Sequence, residues 1–237
     1  MKTIKKIICA YAFALVGFVS PAQAGSSDFS GIYGALHASI NGMSMDGTHV
    51  GGSTYDASEA THGQVGALVP MAGWEAGFNI PLGDTFFISA GTKWVDGAAR
   101  LIDAATSGEG TNNGVTGNGA GTLNGENATL TISDPREWYI QPSISLFDNS
   151  AVYFKYGKVT AKIKTKGTIN TKTGGLSGET YAIGTTTIAN NGIFLKTEAG
   201  ASQYGNVKIT DVGGNSTSTI EGDPLVAYGS VSIGYKF

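Results

Sequence analysis

The stretch Trp74-Glu75-Ala76-Gly77-Phe78-Asn79-Ile80-Pro81-Leu82-Gly83-Asp84-Thr85-Phe86-Phe87-Ile88-Ser89-Ala90-Gly91-Thr92-Lys93-Trp94 decides the fold. On either side of Pro81-Leu82-Gly83-Asp84 the even positions Trp74, Ala76, Phe78, Ile80, Phe86, Ile88, Ala90 and Trp94 are apolar. The odd positions include Glu75, Gly77, Asn79, Ser89, Gly91 and Lys93. A period of two is that of a strand, and Gly and Asp supply the backbone freedom of a tight turn, so the stretch reads as an antiparallel hairpin. In a barrel dissolved in water the inward face is apolar and filled by large side chains. Here the polar face carries glycines and small residues, which suit a narrow bore, and the apolar face therefore points outward.

The same pattern recurs along the chain. Eight strands are predicted, at Gly31–Ile40, Leu68–Ile80, Phe86–Leu101, Ala128–Phe147, Ala151–Ile163, Thr180–Ile188, Ile193–Thr210 and Pro224–Phe237. Three connections are tight: 81–84, 147–150 and 189–192. Four are long and rich in Gly, Thr, Asn and Ser: 41–67, 102–127, 164–179 and 211–223. Strict alternation of short and long connections is the habit of transmembrane β-barrels, with short periplasmic turns and long extracellular loops. The expected fold is therefore all-β, an eight-stranded antiparallel up-and-down transmembrane barrel with both termini on the periplasmic side.

The tryptophans give an independent reading. A lipid band about 25 Å tall takes about ten residues of a strand tilted near 40°. Trp74 lies nine residues before Gly83, Trp94 ten after Asp84 and Trp138 ten before Asp148, all on the apolar face. They are expected to form one membrane-interface girdle. Phe78, Phe86, Phe147, Phe154, Tyr235 and Phe237, near the turns and the C-terminus, would form the other. Two features fit this pattern poorly. Pro142 falls in mid-strand, where it removes a ladder donor and predicts a bulge or local distortion. The segment Tyr153-Phe154-Lys155-Tyr156-Gly157-Lys158 puts a lysine on the lipid face in either parity; Lys155 is expected to point inward and Lys158 to lie near the outer interface.

Composition bounds the rest. Of 237 residues, 36 are Gly and 14% are charged, against roughly 7% and 25% in ordinary globular chains. This excludes a highly charged disordered chain. No segment after the first 24 residues approaches the ~18 consecutive apolar residues of a helical span. Residues 1–24 read as a cleavable signal peptide: Lys2, Lys5 and Lys6, an apolar Ile7–Val19, then Ala22-Gln23-Ala24. Residues 25–237 would form the barrel domain. Without the three leader lysines, 12 basic residues face 18 acidic ones, a net charge of −6, which argues against nucleic acid as a partner. Cys9 leaves with the leader, so disulfides and thiolate chemistry are excluded.

With its strands placed, the chain resembles the small eight-stranded outer-membrane barrels: the OmpA transmembrane domain, OmpX and the opacity-type surface proteins. The resemblance covers residues 25–237. It is carried by the opening Phe29-Ser30-Gly31-Ile32-Tyr33-Gly34 and the closing Val231-Ser232-Ile233-Gly234-Tyr235-Lys236-Phe237. It implies that Val231, Ile233, Tyr235 and Phe237 serve as the signal by which such chains reach the barrel assembly machinery. It also implies residence in the outer membrane of a Gram-negative bacterium, among lipid and lipopolysaccharide. No peptidoglycan-binding domain is expected after the barrel.

Candidate chemistry lies in the bore and the loops. His37, Glu75, Lys93, Glu137, Lys196, Glu198 and Lys236 have inward parity, and Glu75 and Lys93 share a face on adjacent strands of one hairpin. They read as a structural charge network; a charged gate in a conductance path is the sharper alternative. Of the three histidines, His49 and His62 lie in the first long loop without metal-ligand spacing. Ser53 with His49 and Ser58 with His62 are neighbours in sequence, but no family catalytic motif accompanies them. No catalytic, cofactor or metal site is therefore assigned. The expected role is structural or surface-interactive, with host, matrix or phage ligands reached through the long loops. A narrow pore for small solutes or ions is the alternative, and a lipid A-modifying enzyme is third.

Overall fold

The computed structural model describes residues 25–51, 61–103, 128–147, 149–167, 173–213 and 216–237. The predicted signal peptide, residues 52–60 of the first long loop and residues 104–127 of the second lie outside them. After a 3-10 turn at Ser26–Phe29 come β1 (Gly31–Gly51), β2 (Thr61–Leu82), β3 (Phe86–Asp96), β4 (Ala98–Asp103), β5 (Ala128–Phe147), β6 (Ser150–Gly167), β7 (Thr173–Ile188), β8 (Ile193–Tyr204), β9 (Val207–Gly213) and β10 (Ser216–Lys236). Every pairing is antiparallel. The ring runs β1-β2-β3-β5-β6-β7-β8-β10 and closes by β10 on β1, from Tyr33↔Lys236 to Gly51↔Ser218. β4 continues β3 past Gly97, whose φ is 144°, and both pair with β5. β9 likewise continues β8 past Gly205-Asn206, and both pair with β10. The barrel therefore has eight strands, two of them each broken once.

The stagger fixes its shape. A row of ladder partners begun at Tyr33 passes through Gly77, Gly91, Tyr139, Gly157, Thr180, Ser202 and Val226. It returns to β1 at Met43, ten residues along. Eight strands with that shear tilt by about 40° and leave an interior just wide enough for side chains to fill.

One expectation needs correction and another is narrowed. Residues expected in long loops are strand: 41–51, 61–67, 164–167, 173–179 and 216–223 extend the ladders. The lipid-type pattern stops there because the outward positions become polar, as at Ser44 and Asp46, while hydrogen bonding continues. Of the bulge or local distortion expected at Pro142, the structure shows the distortion and not the bulge. Pro142 pairs in register with Ile88, and rungs towards β6 are missing only at Gln141 and Pro142 before Ser143↔Tyr153 resumes the same register. A lost donor removes a rung, whereas a bulge needs an extra residue. The register shifts of β5 lie elsewhere, between Ser133 and Arg136, where Asp134 has φ 52°, and between Ser145 and Phe147.

The outer surface carries Ile32, Leu36, Ile40, Leu68, Phe78, Ile80, Phe86, Trp138, Ile140, Ile183, Leu195, Val231, Ile233, Tyr235 and Phe237, all exposed. Such a belt is the lipid-facing surface of a transmembrane barrel. Inside, three layers stack. Near the tight turns Phe29, Tyr33, Ala35, Phe87, Ala151, Ile188 and Phe194 form an apolar cluster. Charged residues occupy the middle. Towards the open ends of the long connections Met43, Met45, Met71, Ile132, Val159, Ile163, Leu176, Tyr204 and Val226 form a second apolar cluster.

Glycine has a specific use in the bore. Tyr33 pairs across the ladder with Gly77, Tyr139 with Gly91, Tyr153 with Gly184 and Tyr228 with Gly200. Each tyrosine ring lies over the glycine, so a Cβ at Gly91 would meet Tyr139 Oη and the Ala76 carbonyl oxygen at 2.7 Å. The large inward side chain thus occupies the space that its partner lacks. Gly91→Ala is expected to lower unfolding stability by about 1–3 kcal/mol through overpacking. Gly229→Ala, with nothing within 4 Å of the added Cβ, is expected to leave it unchanged. Urea titration of the refolded barrel in lipid or detergent measures both.

Candidate functional site

The central layer is built by five strands of the ring. Glu75 from β2, Lys93 from β3, Glu137 from β5, Lys155 from β6 and Lys196 with Glu198 from β8 are all buried, and Lys155 is 0% exposed. Three cations thus face three carboxylates. Lys196 Nζ donates to both oxygens of Glu75, at 3.0 and 3.3 Å. Lys155 Nζ lies 2.6 Å from Glu198 Oε1 and 2.9 Å from Glu137 Oε1. Lys93 Nζ reaches Glu198 Oε1 at 3.4 Å.

Glu198 is the hub. Besides the two lysines it accepts the hydroxyls of Tyr153 at 3.0 Å and Tyr228 at 2.9 Å. Tyr33 and Tyr139 hydrogen-bond to each other at 2.6 Å. Their rings, with Tyr153, surround Lys196 Nζ at 5.2–6.0 Å from the centroids. Lys155 stands over Tyr139 and Tyr228, and Lys93 over Tyr228. An unpaired buried charge costs several kcal/mol, so this arrangement offsets each desolvation with an opposite charge and an aromatic face.

The other candidates separate from this cluster. Glu75 and Lys93 are direct ladder partners, yet the bonds described for their head groups run to Lys196 and Glu198. His37 is buried beside the cluster, and neither ring nitrogen has a hydrogen-bond partner among the described residues. Lys236 sits at the mouth near the tight turns, its Nζ donating to the carbonyl oxygen of Asp28 at 2.8 Å. There Asn79 Nδ2 donates to the Phe29 carbonyl at 2.7 Å, Ser26 Oγ donates to the Gly83 carbonyl, and Phe29 stacks on Phe87 at 4.8 Å. These contacts close that end. A cavity of about 20 Å³ lies between this cap and Lys196, room for one water molecule.

The tyrosines are the functional residues that sequence reasoning missed. Their inward parity with Ala35, Glu137, Lys155 and Ser230 was the available signal. On the outside, Trp74 and Trp94 pack against each other at 4.2 Å, and Tyr156 against Tyr181 at 5.3 Å. Trp138 is exposed, as are Phe78, Phe86, Tyr235 and Phe237 of the other candidate girdle; Phe154 is half-buried. The side chain of Phe147, with the loop residues Ser53 and Ser58, lies outside the described residues. Among the described residues no group of three or more His, Cys, Asp or Glu is placed to hold a metal ion.

No protein-family model and no curated protein matches the chain. Solved structures do. One is Ail, the attachment invasion locus protein of Yersinia pestis, solved with the heparin analogue sucrose octasulfate: 6% identity over 81% of this chain and 98% of that one, TM-score 0.35. Others are the outer membrane protease OmpT of Escherichia coli, at 10%, 88% and 97% with TM-score 0.43, and Neisserial surface protein A, at 8%, 80% and 96% with TM-score 0.31. At 6–10% identity these likenesses concern the fold alone.

The network makes a ranking testable. Glu198→Ala is expected to be the most damaging single change, about 3–5 kcal/mol, because it strips the lysines it holds of their shared carboxylate. In double-mutant cycles Glu75→Ala is expected to couple more strongly to Lys196→Ala than to Lys93→Ala. Equal coupling to the two lysines in urea unfolding of the refolded protein contradicts that geometry.

Proposed function

We propose that the chain is an outer-membrane barrel of a Gram-negative bacterium, with periplasmic N- and C-termini, that serves as a rigid platform for surface recognition. Cleavage of residues 1–24 belongs to this reading. So do an outer girdle of Trp74, Trp94 and Trp138, a periplasmic girdle of Phe78, Phe86, Phe147, Tyr235 and Phe237, and the closing Val231, Ile233, Tyr235 and Phe237 as a signal to the assembly machinery. The observation that carries it is the filled bore. Apolar clusters at both ends enclose a charge-balanced centre, an interior suited to rigidity and not to passage. Long strands that continue past the lipid belt hold the loops away from the membrane, and exposed loops on rigid scaffolds commonly bind partners.

Expression on a non-adherent Gram-negative host is expected to add binding to cells, matrix or phage, and single-loop deletions should abolish it while the barrel stays folded in the membrane. In planar bilayers the purified protein is expected to show no steady, resolved openings; regular openings would favour the narrow pore. Lipid A mass spectra are expected to be the same with and without the protein.

A further inference from the structure

The outward face of β5 and β6 changes character abruptly at its upper edge. The stagger raises a row of ladder partners by about one and a quarter residues per strand. On that scale Trp74, Trp94, Trp138, Tyr156 and Tyr181 lie within roughly two residues of one height and form a single aromatic band. Immediately above it, Thr160 on β6 faces Arg136 on β5, and Lys158 and Lys162 flank Thr160 on the same face. The side chains of Lys158 and Lys162 are 65% and 62% exposed. The Arg136 guanidinium lies 4.9 Å over the Trp94 ring, and among the described residues no carboxylate bridges it.

We propose that Arg136, Lys158 and Lys162, grouped about Thr160, bind the phosphate groups of an anionic lipid of the lipid A type in the outer leaflet. The inference rests on the outer-membrane reading above and names a lipid site within it. Lipid phosphates lie just beyond the acyl chains, which is where a patch bordering the aromatic band sits. Stacking on Trp94 holds the Arg136 plane in place, leaving its N–H fork for a phosphate. Lys158 bonds Glu179 at 2.7 Å and Lys162 bonds Asp134 at 2.9 Å. Glu179 also accepts from the hydroxyls of Tyr156 and Tyr181, which hold its carboxylate down on the aromatic band. Each ammonium keeps further donors for a phosphate.

The test titrates the refolded barrel in detergent with bis-phosphorylated lipid A and with the same lipid stripped of phosphate, read by native mass spectrometry. The wild type is expected to retain the phosphorylated form at least tenfold more tightly, with the preference falling as salt rises. Arg136→Gln/Lys158→Gln/Lys162→Gln is expected to lose the preference, whereas Lys208→Gln on β9 keeps it. Should the triple variant fail to fold, Lys162→Glu alone is expected to reduce the preference at least threefold. A wild type blind to phosphate, or a triple variant that discriminates as the wild type does, overturns the inference. So does a variant altered only in capture of a soluble sulfated polysaccharide. None of these outcomes touches the outer-membrane reading, which falls instead if the processed chain stays folded and monodisperse in buffer without detergent.

Discussion

Everything in this molecule follows from closing the backbone ladder on itself. In hydrocarbon an unpaired N–H or C=O costs several kcal/mol, so a sheet can cross only if it has no edge. Here β10 meets β1 along its whole length, and the ten-residue stagger at that seam sets tilt and radius together. A ring of eight at that tilt leaves a bore that side chains must fill. The bore cannot be filled by bulky aliphatics on every strand, because their partners across the ladder face the same narrow space. Tyrosine over glycine is the solution adopted four times, and it accounts for part of the chain's high glycine content.

The same strands then serve two solvents without changing parity. Along β1 the inward series runs Tyr33, Ala35, His37, Ser39, Asn41, Met43 and Met45, and the outward series runs Ile32, Leu36 and Ile40 before giving way to Ser44 and Asp46. From His37 to Asn41 the inside is polar while the outside is apolar; beyond Asn41 the relation is reversed. The upper part therefore has the inward apolar core of a water-soluble barrel, built from Met43, Met45, Met71, Val159, Ile163 and Leu176. The crossover marks where lipid ends.

This crossover also explains what could and could not be read in the sequence. Strand positions within the lipid were legible because two independent signals, period-two alternation and turn residues, agreed from Trp74 to Trp94. The strand extensions were not, since polar outward residues and glycine make 41–51 look like loop even though Met43 and Met45 keep the period. Inward parity of Glu75 and Lys93 was likewise readable from their own hairpin. Partner choice was not: Lys196 meets Glu75 across the bore from a strand 121 residues away, and that contact depends on a stagger no single strand encodes. The tyrosines escaped notice because they count as apolar in an alternation, although each needs its hydroxyl satisfied when buried.

Charge distribution divides labour between the two faces of one hairpin. On β6, Lys155 points into the bore and is fully paired, while Lys158 and Lys162 point out on the opposite parity, largely exposed. A buried lysine held by Glu137 and Glu198 stiffens the wall from within, and a rigid wall keeps the outward cations at fixed spacing. Positioning of that kind lowers the ordering cost of binding a multivalent anion. On the proposed reading the packed bore serves recognition by stiffening the wall that carries the outer surface, where partners would be met.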